Sequence, residues 1–142
     1  MNTKHLVFGT IVGGVTLFLV GYIIFDLAAG DFYAANLNTA PGIMRETQIL
    51  WAIALGNLVL GLLLTVGITS RTGAHTTASG AITGAVIACL AWLSADLVLY
   101  GYLDVFSPTL VIVDPLLELV HGGIAGAVIV AVLARIPKGA EA

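Results

Sequence analysis

Charge is what this chain has least of. It carries five Lys and Arg and eight Asp and Glu among 142 residues, so 9% of it is charged. A soluble domain carries about 25%, and a chain this poor in charge cannot wet its whole surface. Cysteine is nearly absent too. The single Cys89 excludes an intrachain disulfide and any CxxC or zinc-finger pattern. No basic stripe is present, which leaves nucleic-acid binding unsupported. Nucleophile elbow, P-loop and dinucleotide fingerprint are all missing.

What is there is apolar. Hydrophobic residues make up 59% of the sequence, and the mean hydropathy is +1.08. Long uncharged runs of this kind read as membrane helices, because open sheet edges cannot face lipid. Four runs stand out, at about 6–26, 48–68, 80–102 and 115–136. Each is close to the ~20 residues that a helix needs to cross the hydrocarbon core. The expected fold is all-α: one transmembrane domain over 1–142, a four-helix bundle of two antiparallel hairpins. The first run is longer than the apolar part of a signal peptide, about 7–15 residues, and reads as a span rather than a leader.

Between the first two runs, Gly30, Asn36, Asn38, Pro41 and Gly42 mark a connector. Phe32, Tyr33 and Leu37 suggest that it lies along the membrane surface, with a short helix over Asp31 to Leu37. The loop SRTGAHTTAS, with Arg71 and His75, separates the second and third runs. Asp114-Pro115 reads as N-cap and first helical residue of the fourth. Pro137-Lys138-Gly139 ends it.

Lys4, Arg71, Arg135 and Lys138 fall on one side of the membrane and only Arg45 on the other. The positive-inside rule makes the first side cytoplasmic, with both termini on it. Seven of the eight acids, all but Glu141, then fall on the external half.

Within that half a few polar residues sit in apolar runs. Asp96 lies in the C-terminal part of the third span, where the helix dipole disfavours an acid. A charge at a span's centre costs about 2.5–3.5 kcal/mol, so Asp96 must be neutral, hydrated or paired. With the hairpin centred near Pro108, Asp96 and His121 are almost equally distant from the turn, and His121 is the expected partner. Glu118 shares a helix face with His121, although as a first-turn acid it could also point to the aqueous boundary. Tyr100 is four residues from Asp96 and could join the layer. Asp26 and Asn57 are further neighbours, and Asn57 alone would be explained by an interhelical hydrogen bond. Asp96, Glu118 and His121 could offer three metal ligands, but with no second histidine nearby the sequence does not decide for a metal. Ser94 with His121 is the one conceivable hydrolytic pairing. Trp51 reads as an interfacial anchor and Trp92 as a core residue. Small-residue pairs with GxxxG spacing, Gly9/Gly13, Gly80/Gly84 and Gly122/Gly126, permit close helix approach.

LWAIALGNLVLGLLLT (Leu50 to Thr65) and VDPLLELVHGGIAGAVIVAVLA (Val113 to Ala134) resemble the small bacterial four-helix inner-membrane proteins of a domain-of-unknown-function family. The likeness runs loosely over all four spans and the Gly21 to Asp31 region. It implies four transmembrane helices in a bacterial inner membrane, and it supplies neither an activity nor site residues. The function expected from the residues is a non-enzymatic binding or permeation module, with a polar site of Asp96, Glu118, His121, Asp26 and Asn57. Its first partner is the lipid bilayer, no cofactor is implied, and a homo-oligomer or a larger membrane complex is compatible. A structural subunit of such a complex is the alternative, and a lipid- or quinone-linked membrane enzyme the third reading.

Overall fold

A computed structural model describes residues 3–38, 43, 45–72 and 76–136. Pro41, Gly42, His75, the Pro137-Lys138-Gly139 terminator and Glu141 lie outside the described residues. The protein is all-helical. Helix α1 (Thr3–Gly21) continues into a π-helical segment (Tyr22–Ala28), and α2 (Gly30–Asn36) is short. Three long helices follow: α3 (Leu50–Thr69), α4 (Thr77–Tyr102) and α5 (Pro108–Leu133). Four stretches, Thr3–Ala28, Leu50–Thr69, Thr77–Tyr102 and Pro108–Leu133, are long and apolar enough to cross a membrane. The molecule is therefore read as a multi-pass membrane protein.

The helices pair as expected, α1 with α3 and α4 with α5, and α1 also packs on α5. Glycine sets how close they come. A Cβ on Gly84 would run into the Gly122 carbonyl oxygen, and one on Gly126 into that of Gly80. The α4–α5 contact is thus backbone on backbone, the close approach that small residues permit. On α1, Gly13 and Gly14 face Gly61 of α3 in the same manner.

The start of α5 is the main correction to the sequence reading. Ser107 is its N-cap, accepting from the Leu110 N–H at 3.1 Å, and Pro108 takes the first turn. Ser-Pro is a cap signature of the same kind as Asp114-Pro115, and it comes first in the chain. The helix consequently begins seven residues earlier than expected, and Pro115 lies inside it. Asp114 is not a cap but a buried residue of the second turn, and Glu118 is no first-turn acid. Helix α4 also starts early, because Thr76 and Ser79 form a reciprocal capping box.

Burial divides the bundle into two halves. Leu17, Leu60, Leu64, Ile68, Ala125, Ile129, Val130 and Leu133 fill the half where α1 and α4 begin. In the other half α3 parts from its neighbours. None of its residues from Leu50 to Val59 is buried, whereas Leu60, Gly61, Leu64, Thr65 and Ile68 all are. Trp92, expected in the core, is exposed for the same reason: α3 does not cover α4 at that level.

Candidate functional site

The open half holds a cleft of about 950 Å³ between the end of α1, the first turns of α3 and the face of α4 and α5. Phe18, Phe25, Leu55, Leu60, Leu63 and Trp92 are among its apolar lining. Asp114, Glu118 and His121 form its polar floor. These three are spaced four and three residues apart on α5, which puts them in one row on one helix face. They are 6%, 1% and 4% exposed.

Each has an identified partner. His121 Nδ1 lies 3.0 Å from Glu118 Oε2, and its Nε2 lies 2.8 Å from the Leu17 carbonyl oxygen of α1. A carbonyl only accepts, so Nε2–H donates to Leu17. A single proton then bridges Nδ1 and the Glu118 carboxyl, whichever of the two formally holds it. Gly21 keeps the place for the ring, since a Cβ there would stand 3.3 Å from Nε2. The wide π turn following Gly21 carries Phe25, which meets the His121 ring edge-on at 5.3 Å and Tyr33 edge-on at 5.9 Å.

Asp114 is reached from two sides. The Tyr33 phenol donates to its Oδ1, and the Asp96 carboxyl of α4 meets it as a hydrogen-bond partner. Asp96 is 3% exposed, and its Oδ2 meets no N–H or hydroxyl donor among the described residues. A hydrogen bond between two carboxyl groups needs a proton, so this pair holds one between them. Tyr33 is brought in by the end of α2, which is sewn to the α4–α5 turn. Asn38 N–H donates to the Val105 carbonyl at 2.8 Å, and Ser107 N–H to that of Asn36 at 3.2 Å.

The expected Asp96–His121 pair is thus replaced by Asp96–Asp114 and Glu118–His121. The displaced turn explains the exchange. With α5 starting at Pro108, the turn is centred on Val105, and Asp96 and Asp114 each lie nine residues from it. Tyr100 is exposed and does not join the layer. Asp26 and Asn57 line the cleft with Glu118 and His121. Asp26 is exposed and accepts from Gln48 Nε2 at 3.4 Å. Asn57 donates to Ile53 of its own helix at 3.0 Å rather than across to another. Ser94 is exposed, and both His121 nitrogens are engaged elsewhere, so the hydrolytic pairing does not form. No group of three His, Cys, Asp or Glu among the described residues is placed to hold a metal ion. Tyr33 and Phe25 escaped sequence reasoning. Asp114 was legible only in the spacing it shares with Glu118 and His121.

Burial, and next the Asp114 carboxyl, hold the Tyr33 phenol above its ordinary value. A raised phenol keeps its bond intact below the unfolded value near 10, and the contribution is lost as pH rises beyond it. In a titration from about pH 8 to about pH 11, Tyr33→Phe should leave the amplitude of the phenolate absorbance unchanged. A variant amplitude smaller by one phenol would contradict the Tyr33–Asp114 bond.

No family model, curated protein or solved structure matches this chain.

Proposed function

We propose that the protein is a small binding module of a bacterial inner membrane, with both termini cytoplasmic, that holds an amphiphilic molecule in its cleft. Lys4, Arg71, Arg135 and Lys138 support this orientation by the positive-inside rule. It puts the cleft in the external leaflet, open toward the lipid where α3 parts from α4. The observation that carries the reading is the division of the cleft into apolar walls and a floor of three buried ionisable side chains. Small-molecule sites are mostly apolar with a few convergent polar groups, and an amphiphile entering from the bilayer would match both. Binding is favoured over permeation because Leu17, Leu60, Leu64 and Ile129 fill the half beneath.

Gly56 supplies the test. It lines the cleft, and a Cβ there would meet nothing within 4 Å, so the backbone leaves room for a larger side chain at the cleft wall. Decylamine, decanol and decanoate differ only in head group and can be compared by thermal unfolding in uncharged micelles. A ligand at 100 times its Kd adds about 2.7 kcal/mol of stability. At least one of the three should raise the melting temperature of the wild type by several degrees and leave Gly56→Leu unchanged. Equal shifts in both proteins, or no shift at all, would overturn the proposal.

A further inference from the structure

The charge around the cleft narrows the ligand. Among the described residues its lining includes Asp26, Asp114 and Glu118 but neither Lys nor Arg. Glu118 is matched by His121, which leaves that couple neutral overall. The Asp96–Asp114 couple joins two acids through one proton and keeps one negative charge, with no Lys or Arg among the described residues that line the cleft. The Tyr33 hydroxyl also donates to it. Behind it, the buried Asp96 Oδ2 has no donor among the described residues. Two acids in so apolar a place, with one proton as the positive charge between them, favour a cation that can take that proton's place. Phe18, Tyr22, Phe25, Tyr33, Trp51 and Trp92 stand round the same space, and the faces of aromatic rings attract cations.

We infer that the ligand is a lipophilic monocation, drawn from the bilayer into the cleft and held against Asp114 in exchange for the proton shared by Asp96 and Asp114. This rests on the cleft-binding reading above and names its ligand class. The exchange balances: one cation enters, one proton leaves to water, and the net charge of the site rises by zero. The groups that act on the couple are Tyr33 from α2 and Glu118 and His121 from α5, and Asp26 of the π segment lines the same cleft. The polar neighbours contributed from the α3 side, Gln48 and Asn57, carry no charge.

The test compares tetraphenylphosphonium with tetraphenylborate, which has the same shape and opposite charge, and with decylubiquinone as a neutral amphiphile. Both tryptophans of the chain line the cleft, so their fluorescence reports binding to the full-length protein in uncharged micelles. Tetraphenylphosphonium should bind at least tenfold more tightly than the other two. Its affinity should rise with pH, by up to about tenfold per unit for an exchange of one proton, and an indicator dye should record that proton. Gly56→Leu should abolish binding, and Asp114→Asn should weaken it tenfold or more. Asp96→Asn provides a second variant in which Asp114 stays: binding should persist while the proton release disappears. Tetraphenylborate or the quinone binding as tightly, with Gly56→Leu blocking it, would overturn the cation assignment and leave the cleft reading standing. So would tight phosphonium binding with no dependence on pH. If none of the three probes shows binding that Gly56→Leu removes, both readings fall.

Discussion

Gly84→Leu should separate α4 from α5. A Cβ at that position would collide with the Gly122 carbonyl oxygen and press on the Gly126 Cα, and those atoms belong to backbone. Flexible side chains can turn away from an intruder, but a helix backbone must move as a body. Overpacking usually costs about 1–3 kcal/mol, and this site should lie at or beyond the top of that range. Gly101→Leu is the matched control on the same helix. Nothing lies within 4 Å of its added Cβ, and removing a helical glycine gains up to about 1 kcal/mol. The two substitutions should therefore change unfolding stability in opposite directions. Reversible denaturation in mixed micelles measures both, and a Gly84→Leu protein as stable as the wild type would refute the backbone contact.

The second large effect is expected at Glu118 and His121. Glu118→Leu leaves the buried Nδ1 of His121 without its Glu118 partner, and His121→Phe strands the Glu118 carboxyl and removes the bond that ties α5 to the Leu17 carbonyl of α1. Interhelical hydrogen bonds in membranes average about 0.6 kcal/mol, because the unfolded chain finds other partners there. Breaking a buried ionisable pair by removing one member costs about 3–5 kcal/mol elsewhere. Here one imidazole makes two bonds and bridges α1 to α5, so each single substitution should cost about 2–3 kcal/mol, between those limits. The double variant removes both polar groups together and should be more stable than the sum of the singles predicts by about 1 kcal/mol or more. Strict additivity in the cycle would mean that the two side chains do not depend on each other.

A clear line divides what could be read along the chain from what could not. Hydropathy marked four spans, and the structure has a long apolar helix at each of the four, with the start of the last one displaced. The short surface helix was equally legible, expected over Asp31 to Leu37 and found over Gly30–Asn36. The glycine pairs announced close helix contact, and the Cβ collisions at Gly80, Gly84, Gly122 and Gly126 bear it out. The site was half legible. Asp96, Glu118 and His121 were conspicuous as ionisable residues in apolar runs, and all three are buried. Their pairing was not legible because two Pro-containing cap signatures compete for the start of α5, and the earlier one, Ser107-Pro108, places the turn centre at Val105 rather than near Pro108. In an antiparallel hairpin a displaced centre changes every partner across it, which is why Asp96 faces Asp114 and not His121.

The sequence alone determined how many helices there are, that they are apolar enough for a bilayer, and that ionisable groups lie within them. Those properties depend on local composition, and hydrophobic length is additive along a chain. Only the tertiary structure decided that Tyr33 reaches Asp114, that Leu17 receives His121, and that α3 leaves an open cleft above the packed core. Tyr33 and Asp114 are 81 residues apart, and Leu17 and His121 are 104 apart. Contacts over such separations depend on helix rotation, crossing and register together, and no local pattern encodes that combination.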